Sequence, residues 1–144
     1  MTRDCRQPDL RLHHVGVVVR KLEDGRRSYE RLGFSDRSPV YRDSVQRVAV
    51  QFIRLGTDVQ IELIEPQADD SPVMRFLDKH GPGLHHLCYE VEDIEAACTH
   101  FREQGAIITC APIPAVAFER RRIAFLYERG NLFELLESLT VEPT

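Results

Sequence analysis

Leu84-His85-His86-Leu87 repeats Leu12-His13-His14-Val15 after an interval of 72 residues, half the length of the 144-residue chain. The echo continues in register. Over the 23 positions from 12 to 34, six residues recur 72 places later: Leu12, His13, His14, Val19, Glu23 and Gly33. The far ends of the two halves match at the same offset, Ile61-Glu62-Leu63-Ile64-Glu65 against Phe133-Glu134-Leu135-Leu136-Glu137. Each half therefore sets one Glu 48 residues after one His, Glu62 after His14 and Glu134 after His86. Two repeats that each bring a His and a Glu are what a shared divalent-metal site needs.

The pattern between these ends is alike in both halves. Residues 12–19 alternate Val15, Val17 and Val19 with His14, Gly16 and Val18, which predicts a strand. A helix is expected over 22–32, with Tyr29 and Leu32 on one face and Gly33 as its stop. A short strand near Val40-Tyr41, a β run over 48–55, a turn at Gly56-Thr57-Asp58 and a strand over 59–64 complete the first half. The second half predicts a strand over 86–91, then a helix capped by Asp93 with Ile94, Ala97, Cys98 and Phe101 on one face and Gly105 at its end. A short strand over 107–110, a strand over 123–127 and the strand through Glu134 follow. Phe52 and Phe125 are 73 apart, so the turn over 128–131 has lost one residue, which restores the offset of 72 at Glu134. Between the halves, Ser71-Pro72 opens a short helix with Val73, Phe76 and Leu77 on one face, ended by Gly81. The expected fold is α+β, two βαβββ repeats forming a curled, mostly antiparallel eight-stranded sheet around a metal-binding cavity. The expected layout is an N-terminal tail over 1–11 and one domain over 12–144, with repeat one at 12–65, a linker at 66–83 and repeat two at 84–138.

Strand parity selects the ligands, because successive side chains point to opposite faces. His13 shares a face with Val15, Val17 and Val19, the face expected to pack on the helices. His14 shares the other with Gly16 and Val18. In the second copy His85 goes with Leu87, Tyr89 and Val91, and His86 with Cys88 and Glu90. Ile61, Leu63, Phe133 and Leu135 face the helices by the same rule, which turns Glu62 and Glu134 to the face of His14 and His86. A single Glu between apolar strand residues is ordinarily a solvent-facing residue. The duplicated spacing and the agreement in parity argue instead for a metal set of His14, Glu62, His86 and Glu134. His80 and His100 lack that support and are read as surface residues, and Glu65 and Glu137 as exposed carboxylates.

Two imidazoles and two carboxylates suit one divalent ion: Zn, Co, Ni, Mn or Fe. Around an octahedral ion, four protein ligands leave two positions for a substrate that chelates through two oxygens. Lewis-acid activation of a carbonyl would then acidify the adjacent C–H, and Glu62 or Glu134 would move the proton as the catalytic base. Arg120 and Arg122, in the run Arg120-Arg121-Arg122, are candidate clamps for a substrate carboxylate or phosphate, with a solvated strand edge as the plainer reading. Cys88, two residues from His86, is a candidate pocket-lining residue or a small core residue.

Composition bounds the rest. A chain with 42% hydrophobic and 29% charged residues reads as soluble and globular. A net charge of −4 with mixed signs argues against a nucleic-acid partner. No apolar run approaches a membrane span, and the polar tail lacks the apolar segment of a signal peptide. Cys5, Cys88, Cys98 and Cys110 form no CxxC pair and read as reduced thiols of a cytoplasmic protein. The expected partner is a small-molecule substrate.

The stretches His13-His14-Val15-Gly16-Val17, Ile61-Glu62-Leu63-Ile64-Glu65-Pro66, Asp70-Ser71-Pro72 through Phe76-Leu77 into Gly83-Leu84-His85-His86-Leu87, and Phe133-Glu134-Leu135 carry a family likeness. The chain resembles the vicinal oxygen chelate superfamily, which includes glyoxalase I, methylmalonyl-CoA epimerase, extradiol dioxygenases and bleomycin- or fosfomycin-resistance proteins. It is most similar to the methylmalonyl-CoA epimerase-like branch, and a His/Glu/His/Glu set also resembles metal-dependent glyoxalase I. The resemblance implies paired βαβββ modules, metal ligands at His14, Glu62, His86 and Glu134, and a homodimer, common in the family. It implies an epimerase or isomerase acting beside a thioester or ketone carbonyl. The alternatives are a glyoxalase I-like lyase and a non-catalytic binding or resistance protein. An extradiol dioxygenase is disfavoured, since that chemistry uses two His and one carboxylate. The chain departs from the epimerase pattern in three places. Ile113 to Arg120 replaces a glycine-rich loop, Tyr127-Glu128-Arg129 stands where the family has a His-Pro or Asp-Pro turn, although Gly130-Asn131 remains, and Val50 falls near a position where some epimerases hold a glutamate base.

Overall fold

The computed structural model of the protein describes residues 7–56 and 59–139. Cys5, the Thr57-Asp58 part of the expected turn and most of the expected tail lie outside the described residues. The elements run β1 (Arg11–Val18), α1 (Leu22–Glu30), β2 (Asp36–Asp43), β3 (Val48–Leu55), β4 (Val59–Pro66), α2 (Pro72–His80), β5 (Gly83–Val91), α3 (Ile94–Glu103), β6 (Ile107–Pro114), β7 (Arg122–Glu128) and β8 (Asn131–Glu137), with a 3-10 turn at Val116–Phe118 before β7. This is the expected α+β order, βαβββ twice. The chain forms two compact units: His14 to His86, and the described residues on either side of that span. No helix among the described residues is long and apolar enough to cross a membrane.

In the first unit the strand order is β2-β3-β4-β1. β1 and β4 run parallel, with Val15 opposite Ile61 and Gly16 opposite Glu62, and the other pairs are antiparallel. The alternation read from the sequence places the core. Val17, Val19, Ile61 and Leu63 join Leu22 and Phe34, with Ala49 and Ile53 of β3, in one apolar cluster beneath α1. The second unit repeats the scheme as β5-β8-β7-β6, with β5 and β8 parallel. There Val91, Leu126 and Leu135 pack on Ile94, Ala97 and Cys98 of α3. Burial, and then the nearby Glu95 carboxylate, push the Cys98 thiol up, which keeps it protonated and unreactive.

The helices begin where capping chemistry allows. Ser71 Oγ accepts from the Val73 amide, with Pro72 in the first turn of α2. Asp93 Oδ1 accepts from the Ala96 amide at 3.0 Å at the start of α3. Asp93 is exposed, so Asp93→Ala should cost about 1 kcal/mol through the lost cap alone, measured by urea denaturation. α1 has no cap of its own: Glu65 Oε2 of β4 accepts from the Leu22 amide at 2.8 Å. Glu65 thus has a structural task where exposure was expected.

Three expectations needed correction. α1 stops at Glu30, and Leu32 is 70% exposed rather than packed. Gly33, at φ 101°, still ends the turn. β2 and β6 are eight-residue strands, not short ones. β2 contains Pro39 and β6 contains Pro112 and Pro114; the pairing slips at Pro39, between Arg37 and Val40, and at Pro112, between Cys110 and Ile113, with a further slip between Ile108 and Cys110. Proline lacks the amide that a ladder needs, so these bulges accommodate it at an edge.

The two hairpins differ as the offset of Phe52 and Phe125 requires. Three residues separate the last pair of β3 and β4, Leu55 and Val59. Only Arg129 and Gly130 separate Glu128 from Asn131, and both have positive φ, 48° and 88°, the pattern of a tight type I′ turn. Phe52 still lies opposite Glu62, and Phe125 opposite Glu134.

Candidate metal centre

Three of the four predicted ligands meet inside the first unit. β1 supplies His14, β4 supplies Glu62 and the start of β5 supplies His86, all on the sheet face away from α1. His14 is 1% exposed, and Glu62 and His86 are each 5% exposed. The two Nε2 atoms are 3.2 Å apart, and Oε1 of Glu62 is 3.7 Å from each. Burying two imidazoles and a carboxylate together is costly unless they are paired or share an ion. Donors held at 2.0–2.2 Å from one ion sit roughly 2.8–3.6 Å from one another. The spacing of 3.2 Å lies within that range and the two of 3.7 Å just beyond it, so a small inward movement of Glu62 would suit a divalent ion, and the nitrogen and oxygen donors suit the borderline metals expected from the sequence.

Backbone and packing hold this arrangement. Gly16 lies between His14 and Val18 on the same face of β1. A Cβ built there would fall 2.2 Å from Cε1, 2.5 Å from Nδ1 and 2.7 Å from Nε2 of His86. The imidazole therefore rests on the Gly16 backbone, in space that any other residue would fill. On the other side the Phe52 ring meets His14 edge-on, with centroids 5.5 Å apart, and Tyr41 of β2 stands behind Phe52 at 6.5 Å. This role of Gly16 was missed from the sequence, although an isolated Gly in a valine-rich strand is a signal of close approach.

The other predicted residues fall in the second unit. Glu134 is buried on β8, opposite Cys88 of β5 and Phe125 of β7. Cys88 is fully buried. Arg120 is exposed, with φ 68°, directly after Glu119 at 54°, so two consecutive left-handed residues lead into β7. Arg122 donates through Nε and Nη2 to Oε2 of Glu137, at 3.0 and 2.8 Å, and through Nη1 to Glu95 at 2.7 Å. Its hydrogen bonds to Glu137 and then Glu95 push its pKa up. Arg122 thus ties β7 to β8 and α3, and Glu137 is a partner in that tie where an exposed carboxylate was expected. Arg121, passed over in the sequence, bonds Glu90 and the Glu137 carbonyl and lies over the Phe118 ring. His13 also meets Phe118 edge-on, at 5.6 Å.

The profile of the glyoxalase/bleomycin resistance protein/dioxygenase superfamily matches residues 13–125. An ethylmalonyl-CoA/methylmalonyl-CoA epimerase of Cereibacter sphaeroides is 34% identical over 129 residues, covering 87% of this chain and 96% of that protein. The crystal structure of methylmalonyl-CoA epimerase from Mycobacterium tuberculosis matches with a TM-score of 0.78 at 30% identity, over 90% of this chain and 88% of that one. A variant of the Streptomyces coelicolor methylmalonyl-CoA epimerase, solved in complex with 2-nitronate-propionyl-CoA, matches with a TM-score of 0.80 at 26% identity, over 92% of this chain and all of that one.

Proposed function

Since the chain belongs to the glyoxalase/bleomycin resistance protein/dioxygenase superfamily, we propose that it is a divalent-metal-dependent epimerase inverting the carbon beside the thioester carbonyl of an acyl-CoA of the methylmalonyl type. The observation that carries the reading is the buried convergence of His14, Glu62 and His86. Glu134, the repeat counterpart of Glu62, is the fourth proposed ligand on the strength of the sequence repeat. A bound divalent ion would supply Lewis acidity to the thioester oxygen and so lower the pKa of the adjacent C–H.

The side chains have the remaining work. Epimerisation needs a proton taken from one face of the α-carbon and another delivered to the opposite face, with an enolate between. Two proton transfers are therefore needed, and Glu62 or Glu134 is the proposed base. A nitronate is a planar, delocalised anion at the same carbon, and a relative binds one; this supports enolate chemistry. Arg120 is the remaining candidate clamp for a substrate carboxylate, since Arg122 is held by two glutamates. Cys88 is proposed only as a small residue near Glu134. The same reading takes the protein as a cytoplasmic homodimer, and a monomer in sedimentation would remove the second part.

Metal analysis and solvent-isotope exchange test the proposal together. Wild type should carry near one divalent ion per chain and wash deuterium into the α-position of methylmalonyl-CoA in D2O. His86→Ala should lose the ion and at least about 100-fold of the exchange. A metal-loaded protein that exchanges nothing but isomerises the glutathione hemithioacetal of methylglyoxal would belong to the lyase reading. Failure to bind any divalent ion would leave a non-catalytic binding protein.

A further inference from the structure

We infer that His85 is a positioning residue that locks the His86 ring as its Nδ1–H tautomer, leaving Nε2 unprotonated and aimed at the ion. The inference deepens the metal reading and rests on it for its functional meaning. The strand rule put His85 on the face opposite His86, packed with the helices. The structure brings their rings together instead, with Nδ1 of His85 2.8 Å from Nδ1 of His86.

At that distance one nitrogen must donate and the other accept. Nε2 of His86 is the atom turned toward Nε2 of His14 and Oε1 of Glu62. A neutral imidazole that offers Nε2 as a lone pair carries its single proton on Nδ1. Nδ1–H of His86 is therefore the donor, Nδ1 of His85 the acceptor, and His85 keeps its own proton on Nε2. The same assignment leaves Nε2 of His86 able to accept from Nε2–H of His14 before an ion enters.

His85 is itself held in place. The Phe76 ring of α2 meets it edge-on, with centroids 5.0 Å apart and planes at 88°, and Phe76 packs against His80 at 4.9 Å. The His86 imidazole thus has the Gly16 backbone under its face and His85 at its rear nitrogen. A hydrogen bond to the rear nitrogen of a coordinating His fixes its tautomer and orientation and raises its basicity, commonly worth about 10–100-fold in metal affinity.

The test uses Co²⁺ as the probe, with the dissociation constant from calorimetry and the d–d spectrum as a check on coordination. His85→Leu keeps bulk and removes the acceptor, while His85→Asn offers an amide oxygen near the former Nδ1. Co²⁺ affinity should fall about 10–100-fold in His85→Leu and largely recover in His85→Asn. In parallel, imidazole ¹⁵N shifts of the metal-free protein are read where the rings are neutral. They should report Nδ1–H for His86 in wild type and His85→Asn, and a tautomer mixture in His85→Leu. Unchanged Co²⁺ affinity in His85→Leu, or an Nε2–H His86 in wild type, overturns the inference. A wild type that binds no Co²⁺ but shows the locked tautomer, released in His85→Leu, sinks the metal reading and upholds the positioning role.

Discussion

Gly16→Ala is expected to cost the protein about 10–100-fold in divalent-metal affinity, measured by calorimetric titration with Zn²⁺ or Co²⁺. The added methyl would stand 2.2–2.7 Å from three ring atoms of His86, well inside contact distance. The β1 backbone cannot retreat, because Gly16 sits in the parallel ladder opposite Glu62, with Val15 and Val17 paired on either side. The ring must swing away instead, and Nε2 leaves its place 3.2 Å from Nε2 of His14. Stability should fall only by the strain of a locally overfilled site, about 1–3 kcal/mol. Gly25→Ala is the internal control. Its methyl would meet Val19 Cγ1 at 2.6 Å, beneath α1 and on the other face of the sheet, so stability should suffer and metal binding should not. Wild-type metal affinity in Gly16→Ala would refute the arrangement of His86 described above.

Leu63→Ala should have the largest effect on folding, a loss of about 2–5 kcal/mol and, for a chain of this size, roughly 4–20 °C in Tm. Leu63 is fully buried between α1 and the sheet, with Val17, Ile53 and Phe34 in the same cluster. Removing its three distal carbons leaves a void that a parallel β1–β4 pair, anchored from Val15 to Val18, has little freedom to close. Chemical denaturation measures the loss directly. A change below about 1 kcal/mol would mean that β4 does not present Leu63 to the core, and the parity that turns its neighbour Glu62 toward His14 would fall with it.

That parity was the most legible part of the molecule. A period of two and a repeat of 72 residues selected His14 over His13, and Glu62 between Ile61 and Leu63, and the burial of all three candidates in the first unit agrees. What was illegible has local causes. β2 reads Asp36-Arg37-Ser38-Pro39-Val40-Tyr41-Arg42-Asp43, polar and proline-broken, and only an edge position with a bulge makes it a strand. Glu65 and Glu137 looked exposed because sequence does not show which amide or guanidinium arrives from another element. His85 was assigned by alternation, which fixes the face of a Cβ but not how far a flexible ring reaches around the strand edge. The run Arg120-Arg121-Arg122 drew attention to substrate, yet two of its three guanidinium groups are taken up by Glu90, Glu95 and Glu137.

The unequal hairpins bear on how such a duplicated chain can drift in length. The common spacing of 48 residues from His to Glu is a compensated sum: repeat two has gained a residue ahead of β7 and lost one in the Arg129-Gly130 turn. What both copies share is the cross-strand partnership of Phe52 with Glu62 and of Phe125 with Glu134. Insertions and deletions are therefore neutral to the chemistry at the hairpin tip, where three residues and two serve equally. One residue added within β4 or β8 would exchange the Glu for its leucine neighbour at that position. In this repeated chain the hairpin tips differ in length while the strand pairing does not.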